Sequence, residues 1–312
     1  MISFAIVTLL FYDIIFVKSI FQEDRMDPIL FEIGGFQLRY YGLMYALAFF
    51  IGIEIAKHEA KRMNMSPALL ENFAITAMVS GLIGGRLYYV LFNPHYYFNN
   101  PMEIPAVWNG GMAIHGGIIG GIIGTFIFAH RNKVSPWKLG DIAAAPFILG
   151  QGIGRFGNLM NGEIHGVPTF TPWKVIFTLK PGFYTWYDQY RAMSIEAQMK
   201  YKELVPWGIV FPESSPAGSE FPNLPLHPAM LYEMFLNFTA FLLIWFYFRK
   251  KDYAAGTVWW IYVIMYSLIR VFVSFFRAED LMIVGFRAPH AISIIFVAVS
   301  IIMIKYLNRK KI

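Results

Sequence analysis

Cysteine is missing altogether from these 312 residues. That excludes disulfides, thiolate metal sites and a cysteine nucleophile borne by the protein itself. Charge is scarce as well: Asp, Glu, Lys and Arg make up 15% of the chain, where a soluble domain carries about a quarter. There is no H-E-x-x-H, no G-x-S-x-G elbow and no P-loop, so the corresponding metalloprotease, hydrolase and nucleotide-binding chemistries lack their signatures. The seven histidines (58, 95, 115, 130, 165, 227 and 290) are scattered without metal-ligand spacing, and no metal or cofactor is expected. Internal repeats and low-complexity segments are absent too.

What is present is apolar. Hydrophobic residues make up 57% and aromatics 18% of the chain, gathered into runs of roughly the ~20 residues that cross a bilayer. The expected fold is an all-α integral membrane protein of about seven transmembrane helices, near 40–56, 71–92, 112–130, 139–158, 229–248, 256–276 and 289–307. Basic clusters fall in alternate connections: Lys57, Lys61 and Arg62; then Arg131, Lys133 and Lys138; then Arg249, Lys250 and Lys251; then Arg309, Lys310 and Lys311. The 93–111 connection has no Lys or Arg. The positive-inside rule then places the N-terminus outside and the C-terminus in the cytoplasm, as for a multi-pass protein of a bacterial plasma membrane.

The net charge of +6 is therefore loop charge, not a nucleic-acid surface. The long segment of about 166–226 is expected to be a small extracytoplasmic head. Between 167 and 225 it holds five Lys/Arg against five Asp/Glu, and its aromatics suit a membrane–water interface. Residues 26–312 are read as one polytopic domain. Residues 1–25 are read as an N-terminal extension or an extra hydrophobic segment; they have no basic n-region and make a poor signal peptide.

The stretch GQGIGRFGNLMNGEIHG, residues 150–166, closes an apolar run with six glycines and several polar groups. Gly152, Gly154 and Gly157 spell G-x-G-x-x-G, but no strand precedes them and no acidic residue follows at the required distance, so a dinucleotide site is rejected. Gly150 and Gly154 share a helix face, as do Gly116, Gly120 and Gly124 in IHGGIIGGIIG. Such spacing lets helices approach closely, and mutual contact is one way for these two to achieve it.

Packing does not account for the polar residues. An arginine at mid-bilayer costs at least ~2.5–3.5 kcal/mol and usually marks a cavity or a substrate path. Arg155 and Asn158 are three apart on one helix face. Arg86 and Arg270 lie within predicted spans, Arg277 near a span's end, and His115 just ahead of a glycine series. Arg277 could also be an interface anchor, and His115 a helix cap. Several arginines in an apolar bundle suggest an anionic ligand, most simply a phospholipid phosphate held by forked guanidinium donors.

Six stretches in order, LRYYGLMYALAF, GGRLYYVLF, WNGGMAIHGGIIGG, GRFGNLMNGEIHG, HPAMLYE and YSLIRVFVSFFR, closely resemble the bacterial prolipoprotein diacylglyceryl transferase family. The resemblance implies transfer of the diacylglyceryl group of phosphatidylglycerol to the lipobox cysteine of a prolipoprotein. A thioether forms and glycerol phosphate leaves. The partners it implies are phosphatidylglycerol, the prolipoprotein signal peptide and membrane lipids, and the active site faces the outer leaflet.

By the same resemblance, Arg155 and Arg270 would hold the phosphate, and His115 or Glu163 would take the thiol proton. Tyr41, Arg86, Asn158, Asn161, Gly157, His227, Tyr232, Glu233 and Arg277 would bind or orient substrate. Four features depart from the family pattern. Met230 stands for a glutamine, Leu159 for an aromatic and Ser274 for a glutamate, and the segment from Gly166 to His227 differs freely. Loss of that glutamate leaves an arginine in need of a carboxylate, with Glu279 and Asp280 as substitutes near the helix end. The competing readings are a transporter or flippase for an anionic lipid, as intramembrane arginines and glycine-broken helices also allow, and an inactive lipid-binding relative.

Overall fold

The computed structural model describes residues 26–309, apart from 35, 108–109, 181, 279–281 and 284. The proposed extension 1–25 lies outside the described residues, as do Glu279 and Asp280. A hairpin of β1 (Ile29–Ile33) and β2 (Phe36–Arg39) opens the described chain. Seven long helices follow: α1 (Tyr40–Arg62), α2 (Pro67–Leu91), α3 (Ile114–Arg131), α4 (Pro136–Asn161), α5 (Ala229–Phe246), α6 (Thr257–Phe276) and α7 (Ala288–Arg309). Each covers one of the apolar runs read from the sequence. A two-residue-per-strand hairpin, β3 (Met282–Ile283) with β4 (Phe286–Arg287), joins α6 to α7.

Five of the seven are long and apolar enough to cross a membrane: α1, α2, α5 with the turn after it, α6 and α7. The other two are those in which glycine and polar side chains replace apolar bulk. α3 carries five glycines among its first eleven residues, and α4 carries Asp141, Gln151, Arg155, Asn158 and Asn161.

Local chemistry sets the helix ends. Pro67 and Pro136 start α2 and α4, where a missing N–H is no loss and the fixed φ suits the helix. Gly162 ends α4 in the left-handed conformation at φ 63°. Asp141, on α4, accepts hydrogen bonds from the backbone N–H groups of Gly256 (2.6 Å) and Trp259 (2.9 Å). A carboxylate thus meets the exposed donors and positive dipole at the start of α6.

The glycine series finds a different partner from the one suggested by spacing. The glycine face of α3 packs on α2, while α3 meets α4 through its last turn, at Phe128 and Ala129. A Cβ on Gly120 would lie 2.3 Å from the carbonyl oxygen of Ser80, and one on Gly116 would lie 2.3 Å from that of Gly84. Gly150 faces Ala48 of α1, Gly152 faces Phe238 of α5, and a Cβ on Gly154 would meet nothing within 4 Å. The reason is that Gly81, Gly84 and Gly85 of α2 provide a second flat face, so two backbones interlock where Gly154 has no opposing face.

Residues 166–226 hold short helices, among them Phe183–Arg191 and Pro216–Glu220, wrapped around short backbone pairings at Pro168, Ile209 and Leu226. Their core is continuous with that of the bundle. Phe183, Phe211, Phe221 and Leu226 belong to the same buried cluster as Ile148 of α4, Met230 of α5 and Val273 of α6.

Candidate active site at the end of the fourth helix

Arg155 of α4 and Arg270 of α6 converge on Glu233 of α5, whose side chain is fully buried. Arg155 donates to Glu233 Oε1 at 2.6 Å and Arg270 to Oε2 at 3.1 Å. One carboxylate therefore binds both arginines of the expected phosphate clamp, each through a different oxygen. The guanidinium-bearing side chains remain 17% and 18% exposed, so a ligand can reach the cations but not their counterion. Glu233 of α5 thus gives Arg270 a carboxylate partner. Ser274 itself is buried, and its carbonyl accepts from Arg287 at 2.6 Å.

From Arg155 the network continues outward. Its second terminal nitrogen donates to Asn158 Oδ1 at 3.0 Å, and Asn158 Nδ2 donates to Glu163 Oε2 at 3.3 Å. Asn161 also points Nδ2 towards Glu163, at 3.5 Å. The left-handed Gly162 turns the chain between Asn161 and Glu163. Ile164 then adopts φ 59°, which a β-branched residue rarely does, and such strain persists only where surroundings enforce it. Gly166 is enclosed on three sides: a Cβ there would lie 2.5 Å from the His227 carbonyl oxygen and 2.8 Å from that of Phe276. The signature is thereby wedged between the start of α5 and the end of α6.

Tyr41 lies against this end of α4, where Gly157 leaves room for it; a Cβ on Gly157 would be 2.9 Å from the Tyr41 ring. Tyr45 donates to the Tyr41 hydroxyl at 3.1 Å and feels the charges of Arg155 and Glu163. Tyr41, Gly157, Asn158, Asn161, Glu163 and both arginines are brought together.

Other expected site residues go elsewhere. His115 is exposed at the start of α3, its ring 6.1 Å from that of Tyr88 on α2; among the described contacts none joins it to the arginines. Arg86 is buried and donates to backbone carbonyls of Glu103, Ile104 (2.8 Å), Gly110 (2.6 Å) and Gly111 (3.0 Å). It ties down the loop that leads into His115. His227 is fully buried; its Nδ1 accepts from the Tyr232 hydroxyl at 2.9 Å, which in turn accepts from Trp207 at 2.7 Å. Burial pushes His227 down to about 4, so it is neutral and serves as packing. Arg277 lies by the Glu163–Gly166 turn, its backbone paired with Gly166.

Three features escaped the sequence reading. His165 Nε2 lies 3.2 Å from Glu220, which also accepts from Tyr184 at 2.6 Å. Burial opposes ionisation of Glu220, but these hydrogen bonds outweigh it and hold the carboxyl below its usual range. Gly166 and His165 stood in plain view inside the signature; Glu220 and Tyr184 had no local signal. Asn237, one turn beyond Glu233, is fully buried with neither amide atom partnered among the described residues.

Among the described residues, no group of three His, Cys, Asp or Glu side chains could hold a metal ion. Two arginines held side by side on one carboxylate suit an anion.

Comparison with known proteins bears on the family. The family model described as prolipoprotein diacylglyceryl transferase matches residues 28–306. A phosphatidylglycerol–prolipoprotein diacylglyceryl transferase of Fusobacterium nucleatum is 62% identical over 286 residues, covering 91% of this chain and 99% of its own. Namesakes from a Nostoc species and from Staphylococcus carnosus are 34% and 33% identical, over 91% and 90% of this chain and 90% of each of theirs. The chain belongs to the prolipoprotein diacylglyceryl transferase family.

Proposed function

We propose that this transferase moves the diacylglyceryl group of phosphatidylglycerol onto the lipobox cysteine of a prolipoprotein, the first step of bacterial lipoprotein maturation. The substrate sulfur forms a bond to the glycerol carbon as that carbon's bond to phosphate oxygen breaks; glycerol phosphate leaves with the electron pair. The observation that carries this is the Arg155–Glu233–Arg270 triad. An arginine has five N–H donors, and Glu233 orients both guanidinium groups by one bond each, on side chains that keep partial exposure. Donors held in place before the reaction stabilise charge that develops on a leaving phosphate.

The thiolate is the attacking form of a thiol whose pKa is ordinarily near 8.5, so the proton needs an acceptor. Glu163 is linked to Arg155 through a single side chain, Asn158, and is the acceptor that the network supports; His115 stands by Tyr88 instead. Tyr41 borders the same region and would contact lipid or peptide.

The proposed orientation has the Glu163 end of the bundle outward. Basic residues close α1, α3, α5 and α7 at the other end, as contacts there show: Glu59 of α1 binds Arg249 just after α5, Phe73 of α2 meets Phe128 of α3, and Asn308 of α7 bonds Thr257 of α6. Positive charge at one end fits a cytoplasmic face, and residues 166–226 then lie outside.

The test is transfer itself. Purified protein with phosphatidylglycerol and a one-cysteine lipobox peptide should yield a diacylglyceryl adduct by mass spectrometry, absent from the serine peptide. Arg155→Ala and Arg270→Ala should each reduce the rate by about 10²–10³-fold, the usual loss for a preorganised donor. Binding of lipid by the wild-type protein without any adduct would turn the reading to a transporter or an inactive relative.

A further inference from the structure

Beside Glu163, a cavity of about 720 Å³ opens against Pro216, Ser219 and Glu220. Its polar lining is Glu163, His165, Tyr184, Ser219, Glu220 and Arg277. We propose that this cavity receives the terminal glycerol of the anionic phospholipid donor, with Glu220 as the residue that reads its hydroxyls. The inference rests on the transfer reading above and adds to it a headgroup subsite.

The chemistry runs outward from the phosphate. If the phosphate lies on Arg155 and Arg270, the next atoms are a three-carbon chain with two hydroxyls. Glu163 belongs both to the hydrogen-bonded network of Arg155 and to the lining of the cavity, so the two are one side chain apart. Hydroxyl groups leaving water need fixed partners, and an unmet one costs more than a met one gains. A carboxylate offers about four acceptor sites. Glu220 uses one on each oxygen, for His165 at 3.2 Å and for Tyr184 at 2.6 Å, and keeps acceptor capacity on both.

Those two bonds also hold it still. Tyr184 comes from the Phe183–Arg191 helix and His165 from the signature turn, so the carboxylate is braced from two directions. His165 Nδ1 lies 3.3 Å from the Gly166 carbonyl oxygen, so the ring is held on both edges. Its part is positioning. The hydrogen bonds keep Glu220 ionised, and the Ser219 hydroxyl and the Arg277 guanidinium, both on the lining, complete a set of donors and acceptors fit for a small polyol.

The other candidate occupant is the peptide. Signal segments are apolar through their central region, and of the cavity's lining only Ile164 and Pro216 are apolar. The described backbone there offers no strand for an extended peptide to pair with. The walls therefore favour the polyol.

The experiment compares phosphatidylglycerol with phosphatidylpropanol, which has the same charge and chain but no headgroup hydroxyls. Full-length protein in detergent, with the cysteine peptide, should use phosphatidylglycerol about tenfold or more better in kcat/KM, as expected when a site built for a hydroxyl meets an analogue without one. Glu220→Gln and the milder Tyr184→Phe should narrow that ratio to about threefold or less, chiefly through KM for the lipid. If either variant unfolds, the other carries the comparison.

A ratio unchanged in the folded variants would overturn the proposal. So would a change confined to KM for the peptide, which would assign the cavity to the acceptor. Native mass spectrometry of the two lipids on wild type and Glu220→Gln judges the subsite separately. Preferential retention of phosphatidylglycerol, lost in the variant, supports it even if no adduct forms, an outcome that would sink only the transfer reading.

Discussion

Glu233 is the residue on which most depends. It is buried, charged and shared between two cations, so its removal takes a carboxylate from both. Breaking a buried ion pair by deleting one partner typically costs about 3–5 kcal/mol. Glu233→Gln keeps the shape and one acceptor oxygen, yet leaves two guanidinium groups without their counterion. The expected outcome is loss of transfer at least as deep as that of Arg155→Ala, with a lower thermal midpoint in detergent; near wild-type activity would mean that the bridge does not hold the clamp. At the same scale, Arg270 finds a carboxylate partner in Glu233 of another helix. Residue identity alone could not reveal this, because Glu233 and Arg270 are 37 positions apart and lie on different helices.

The elements are held by two devices: interlocked glycines and side-chain caps. Gly120→Val would push a branched side chain into the backbone of α2, where a Cβ already comes within 2.9 Å of Gly84 Cα and 2.3 Å of the Ser80 carbonyl oxygen. Overpacking of this kind costs about 1–3 kcal/mol. The thermal midpoint should fall, and with it the position of His115, which starts the same helix. Gly154→Val, with no opposing atom within 4 Å, is the control and should leave the midpoint close to wild type. Equal effects would show that glycine acts through helix propensity and not through contact. Spacing marked both series as close-packing faces; which face opposes which depends on Gly81, Gly84 and Gly85 of α2, and that is a tertiary fact.

For the whole molecule, two expectations concern pH and orientation. His227 is held down to about 4 by burial, while an unfolded chain's histidine takes up its proton near 6.5. Between those values the unfolded state binds more protons, so stability must fall as pH drops from about 6.5 towards 4. Thermal midpoints measured across that window should decline, and His227→Gln should flatten the decline; a flat wild-type profile would contradict the assignment. Glu220, held low, contributes in the same sense but at more acid pH, below the usual carboxylate range. Orientation can be read cleanly because the chain has no cysteine. An impermeant thiol reagent applied to intact cells should label Ser219→Cys and spare Lys133→Cys; the reverse pattern would invert the bundle.

Sequence alone determined the membrane class, the places of seven long helices and the family. Each of these rests on local pattern: hydrophobic length, basic clusters between runs, and a polar signature that no lipid-facing helix would tolerate. It could not pair charges across the bundle. That Glu233 joins Arg155 to Arg270, that Arg86 ties a loop instead of facing the arginines, and that His165 meets Glu220 from 55 positions away were decided only by packing. The physical reason is that a buried charge must find its partner in space, and helices from distant parts of the chain supply it.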